Sequence, residues 1–128
     1  MPIEIAWEDD AHTILLQTIV GEYTIQDYQA MVDESVRWMR QEDHAVHIIS
    51  DFRRAGSTPV NALAGARHAE KHMAPNQGLV IFVGANALVQ TFVNVARRAG
   101  LKVVQDVRMV TTLEAAYQII AEEGAGVQ

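Results

Sequence analysis

Leu79-Val80-Ile81-Phe82-Val83 is an unbroken apolar run closed by Gly78 and Gly84. Successive side chains of a strand point to opposite faces, so a strand of this composition is apolar on both. It needs cover on both sides. That is the position of an interior strand in a helix-covered, largely parallel sheet. The turn Gly84-Ala85-Asn86 leads into residues 87–99, where apolar residues recur at helical spacing. A chain built around this pair must supply flanking strands and enough helix to bury both faces.

The remaining sequence supplies them in order. Ile3, Ile5 and Trp7 alternate with Glu4, Ala6 and Glu8, a half-buried strand at an edge. Asp9-Asp10 marks a turn, and residues 12–20 form a second strand ending at Gly21, which makes an antiparallel hairpin. Thr24 and Asp27 stand in capping-box spacing. Tyr28, Met31, Val32, Ser35, Val36 and Met39 then define one helical face, and that helix is expected to end near 41–43. Residues 45–50 read as a third strand and 51–56 as a loop. Ser57 or Thr58 is expected to cap a second helix with Pro59 in its first turn, running toward Met73 and stopped by Pro75. Residues 107–110 read as the last strand. Thr111 and Glu114 are expected to cap a final helix with Leu113, Ala116, Tyr117 and Ile120 on its inner face, and residues 124–128 to fray. The order is β-β-α-β-α-β-α-β-α: an α/β fold, a mixed and mostly parallel sheet with helices packed on it, in one domain over 1–128.

The chain has 128 residues, a net charge of -6 and no cysteine. The acidic balance argues against a phosphate-backbone partner, since the only adjacent basic pairs are Arg53-Arg54 and Arg97-Arg98. Without cysteine, disulfides, thiolate catalysis and Cys-ligated zinc drop out. The N-terminus has no basic stretch followed by an apolar core, and no apolar run is long enough to span a bilayer. A cytoplasmic protein that neither enters a membrane nor binds nucleic acid is the expectation.

That element order resembles the STAS domain, the fold of bacterial anti-sigma-factor antagonists and of the cytoplasmic tails of sulfate transporters. Residues 107–116, Val-Arg-Met-Val-Thr-Thr-Leu-Glu-Ala-Ala, are similar to that family's closing strand, capped turn and helix start. Ile48-Ile49-Ser50-Asp51-Phe52 resembles its third strand, which commonly ends in Asp-Leu. Phosphorylatable members carry Asp-Ser-Ser-Gly or Asp-Ser-Thr-Gly at the start of the second helix. Here that segment reads Gly56-Ser57-Thr58-Pro59-Val60-Asn61, and by spacing the family's serine falls near Val60-Asn61. The phosphoserine switch therefore does not carry over. The resemblance is to divergent SpoIIAA-like members, which are related in fold to CRAL-TRIO lipid-transfer domains.

Polar residues expected at the C-terminal strand ends are Asp51, Arg53, Arg54, Ser57, Thr58 and Asn86, a candidate surface for a partner or an anion. Phosphate on Ser57 or Thr58 would sit at a helix N-terminus near arginines. The helix after the central strand carries Leu88, Phe92, Val95 and Ala99 on one stripe and Val89, Val93 and Ala96 on the next, more apolar surface than one sheet face requires. Val89, Val93 and Ala96 form the candidate apolar interface, facing another subunit, a partner or an apolar ligand. His68 and His72 lie four apart on the second helix, but no third ligand is near in sequence, so they read as ordinary helix histidines and no metal site is expected. No nucleophile with a base, no dinucleotide fingerprint and no P-loop is present, so catalytic residues and cofactors are expected to be none. The resemblance implies a non-catalytic regulatory domain that binds a protein partner or itself, as a homodimer. The alternative is a small carrier of an apolar or lipid-like ligand; weaker still is an enzyme of unknown reaction using Asp51 with Arg53 or Arg54.

Overall fold

The computed structural model describes residues 2–124. Its strands are β1 (Ile3–Trp7), β2 (Ile14–Gly21), β3 (Val46–Ala55), β4 (Gln77–Val83) and β5 (Arg108–Val110). Its helices are α1 (Ile25–Arg40), α2 (Ala62–His72), α3 (Ala87–Arg98) and α4 (Leu113–Glu123), with a 3-10 turn at Lys102–Val104. The strands form one sheet in the order β1-β2-β3-β4-β5. The β1–β2 pair is antiparallel, and the three pairs from β2 to β5 are parallel.

Sequential strand order decides where the helices go. Each parallel connection is a right-handed crossover, and three crossovers stepping the same way across a sheet place their helices on the same face. α1, α2 and α3 therefore share one face. α4 follows the last strand, returns to no further one, and covers the other. The cores follow this division. Ile19, Phe52, Phe82, Val89, Val93 and Ala96 are buried on the three-helix side. Ile49, Ile81, Val83 and Ala116 are buried under α4. β4 contributes to both, as its unbroken apolar run requires.

The caps are local. Thr24 Oγ1 accepts from the Asp27 N–H at 3.0 Å and Asp27 Oδ2 accepts from the Thr24 N–H at 2.9 Å, the expected capping box, worth about 1 kcal/mol. α1 stops at Arg40, slightly short of the expected end, and Asn76 Nδ2 donates to the carbonyls of Met39 and His44 around that terminus.

Three local expectations are corrected. The loop expected over 51–56 is strand up to Ala55, because β3 keeps pairing with β2 through Thr18–Asp51, Val20–Arg54 and Gly21–Ala55. The pairing with β4 ends at Asp51–Val83, so the last four residues of β3 are flanked on one side only. A margin of that kind tolerates Arg53 and Arg54, whose charges read as loop. α2 begins at Ala62 rather than after Ser57 or Thr58, and Asn61 at its N-cap position makes no side-chain cap. α4 is capped by Thr112, whose Oγ1 accepts from the Ala115 N–H at 3.1 Å, one residue later than expected. Of the tail expected to fray, 125–128 lie outside the described residues, while Gly124 is buried against His47.

Candidate functional site

α2 stands off the sheet. Its main contacts are with α1, α3 and the 3-10 turn rather than with any strand. It comes closest to α1 at Gly65, where a Cβ would lie 2.9 Å from Ile25 Cδ1 and 3.0 Å from Tyr28 Cδ1. Leu63 packs on the core beside it, while Ala62, Ala66 and Ala69, at i, i+4 and i+7, face the space between α2 and the sheet. Interiors are otherwise close-packed, and methyl groups cannot fill what full-sized side chains would. A chamber of about 110 Å³ remains, bounded by α1, α2 and α3 above and by Ile48, Phe52, Val80 and Phe82 of the sheet below.

Three buried polar side chains break its apolar lining. Ser50 Oγ donates to Gln17 Oε1 at 2.5 Å, and Gln17 Nε2 donates to Ser35 Oγ at 3.1 Å. These residues come from β3, β2 and α1 and are at most 4% exposed. Buried polar groups are normally paired, and these pair with one another at the chamber wall. Burial pushes the Tyr28 phenol up to about 12, with Tyr23 adding to the effect, and burial likewise raises Tyr23. Both phenols are therefore neutral at ordinary pH.

A second hollow of about 230 Å³ lies at the C-terminal ends of β3 and β4, the usual place for a site in an open α/β sheet. Arg53, Gly56, Thr58, Gly84 and Asn86 line it, and it shares Tyr23, Phe52, Thr58 and Val89 with the chamber. Gly84 has φ +68, and a Cβ there would lie 3.2 Å from Arg53 Cα, so the turn demands glycine twice over.

The residues expected as one polar surface are divided. Asp51 is buried and takes a two-pronged ion pair from Arg53, with Nε–Oδ1 and Nη2–Oδ2 both 2.9 Å. That hydrogen bond holds the Asp51 carboxyl below the usual range against the opposing effect of its burial. Arg54 is exposed on the free margin of β3. Thr58 and Asn86 bond to each other, Nδ2 to Oγ1 at 3.1 Å, while Asn86 Oδ1 caps α3 through the Val89 N–H at 2.9 Å. Ser57 is directed to an acid: its N–H lies 3.2 Å from Glu22 Oε1. A phosphate on Ser57 would stand close to that carboxylate, a like charge that opposes it.

The residues expected as an apolar interface are covered within the chain, and Val89 and Val93 line the chamber. Val89, Val93 and Ala96 are 8, 6 and 0% exposed and belong to the core on the three-helix side. The outward apolar residues of α3 are instead Leu88 and Val95, at 46 and 42%. Two adjacent apolar stripes cannot be ranked by spacing alone; the Gly84 turn and the Asn86 cap set the helix rotation. Sequence reasoning missed the chamber, although alanine at 62, 66 and 69 was its signal.

No protein-family model and no curated protein sequence matches the chain. Solved structures match its fold, two of SpoIIAA among them. The Bacillus cell fate determinant SpoIIAA in its phosphorylated form superposes with a TM-score of 0.53 at 15% identity, over 91% of this chain and 98% of that one. The anti-sigma factor antagonist SpoIIAA in its unphosphorylated form gives 0.52 at 15%, over 93% and 97%. The chain thus has the SpoIIAA-type STAS fold, as its element order and closing strand–helix suggested.

Proposed function

We propose that the chain is a non-catalytic binding domain that holds a small, mostly apolar molecule in the chamber beneath α2. The observation that carries this is a mostly apolar chamber of about 110 Å³ between three helices and the sheet, with Gln17, Ser35 and Ser50 buried in its wall and Tyr23, Tyr28, Thr58 and Gln77 also lining it. Ligand sites are concave, mainly apolar and marked by a few placed polar groups. A single hydroxyl or carbonyl on the occupant fits the polar trio, and a longer occupant can extend past Tyr23 and Thr58 into the strand-end hollow. The described serines are not set up as nucleophiles: Ser35 and Ser50 bond to Gln17, and Ser57 lies beside Glu22. Native mass spectrometry of freshly purified protein tests the reading. It is supported by a stoichiometric small-molecule adduct released on denaturation, and overturned by ligand-free protein that takes up no apolar compound.

The second reading is a regulatory interaction domain of the STAS type, cytoplasmic and homodimeric or bound to a regulatory protein. It is favoured by the likeness to an anti-sigma factor antagonist and by an exposed apolar group, Val60 at 94% with Leu88 and Val95. Val60 and Leu88 each lie two residues beyond the bonded pair Thr58–Asn86, at one end of the sheet. No helix among the described residues is long and apolar enough to cross a membrane. Ligand-free dimers in the same spectra favour this reading over the first.

A further inference from the structure

We infer that Asp33, His68 and His72 form a binding site for a divalent transition metal, zinc foremost, that ties α2 to α1. His68 and His72 lie one helical turn apart on α2, with ring centroids 4.5 Å from each other. The third group comes from α1, 35 residues earlier: Asp33 Oδ1 lies 2.6 Å from His68 Nε2. One ligand atom from each residue falls within 4.8 Å of the others. Tetrahedral zinc with bonds of about 2.0–2.1 Å sets its ligand atoms about 3.3 Å apart. Reaching that arrangement from donors within 4.8 Å of one another takes movements of about 1.5 Å in partly exposed side chains.

The donor set selects the metal. Two imidazoles and one carboxylate suit zinc and its late first-row neighbours, whereas magnesium and calcium prefer all-oxygen shells. The surroundings leave the three groups to the ion. Arg37, one turn beyond Asp33, is held by Glu34 at 2.9 Å, and Glu70, between the histidines, turns away to accept the Val103 N–H at 2.7 Å. Asp33 is 55% exposed in its side chain, so the fourth position is open to water. Three ligands on two helices facing solvent correspond to affinity on the order of micromolar, well short of an enclosed four-ligand structural site.

The site lies on the same seam at which Gly65 brings α2 against Ile25 and Tyr28. An ion there fastens the helix that roofs the chamber. That consequence rests on the carrier reading; metal uptake does not, and it is measured without any apolar ligand.

The test is calorimetric titration of untagged, metal-stripped full-length protein with zinc chloride, and with magnesium chloride as control. The expected result is one equivalent of zinc at about micromolar Kd, with no heat from magnesium. His72→Ala, His68→Ala and Asp33→Asn should each weaken uptake at least about ten-fold. His12→Ala should leave it unchanged, because His12 pairs with Glu42 elsewhere. A hundred-fold excess of zinc over Kd should raise the folded-to-unfolded ratio about a hundred-fold, read by chemical denaturation. No uptake, uptake untouched by His72→Ala, or uptake lost with His12→Ala would overturn the site. Histidine-dependent uptake that ignores Asp33→Asn would overturn the bridge between the two helices.

Discussion

Filling the chamber separates a real void from a well-packed core. Ala66 faces it from the middle of α2, and Ala66→Leu adds three carbons to that space. Three newly buried carbons contribute up to about 2.4 kcal/mol at about 0.8 each, less about 0.5–1 kcal/mol for fixing the leucine rotamer. The net expectation is about 1–2 kcal/mol of added stability. With an unfolding entropy of about 2.1 cal/mol/K per residue, a chain of 128 residues should then melt about 4–7 °C higher. Circular-dichroism melts of ligand-stripped wild type and variant give the comparison, and native mass spectra of the variant should lose the adduct. A variant that melts several degrees lower would refute the reasoning, because overpacking a filled core destabilises by about 1–3 kcal/mol.

The polar trio should behave as one unit. Gln17→Leu leaves two buried hydroxyls without their partner and should cost about 1–3 kcal/mol, while the double variant with Ser50→Val should cost less than the sum of the singles in denaturant unfolding. His47 is buried, its Nδ1 accepts the Leu79 N–H at 3.0 Å, and burial lowers its pKa. As pH falls below about 6.5 the unfolded chain takes up a proton that the folded chain resists, so stability should fall there. Replacing His47 with Gln should flatten that part of the profile relative to wild type, measured by urea unfolding at pH 7.5 and 5.5. Gly84→Ala should lower stability by at least about 1 kcal/mol in the same assay, since φ +68 and the Arg53 backbone both oppose a side chain.

The fold was legible because its strongest signals are local and periodic. Five consecutive apolar residues in β4 require cover on both faces, and the β-β-α-β-α-β-α-β-α order implies a mixed, mostly parallel sheet under helices, while the strand order β1-β2-β3-β4-β5 is visible only in the structure. The Thr24–Asp27 box and the Asn86 cap are short-range chemistry that spacing reveals. What spacing could not reveal depends on distant partners. Asp51 reads as a loop acid until Arg53 is seen to pair with it on an extended β3. Val89 and Val95 lie about 120° apart on a helical wheel, on two stripes of like composition, and only the helix's rotation buries one at 8% and leaves the other at 42%. Asp33 joins His68 and His72 only because α1 and α2 lie side by side on one face. The chamber is a deficit rather than a motif, produced where three alanines stand opposite a sheet.

The measurement closest to the central claim is a benzene titration followed by methyl resonances in proton–carbon spectra. A concave, mainly apolar chamber of about 110 Å³ accepts a small aromatic molecule of this kind. Saturable shifts are expected at Ile48, Val80 and Val93, which line the chamber, with Ile14, Leu16 and Ile81 on the α4 side unmoved. Absence of saturable shifts, or shifts spread equally across both faces of the sheet, would contradict a binding chamber beneath α2.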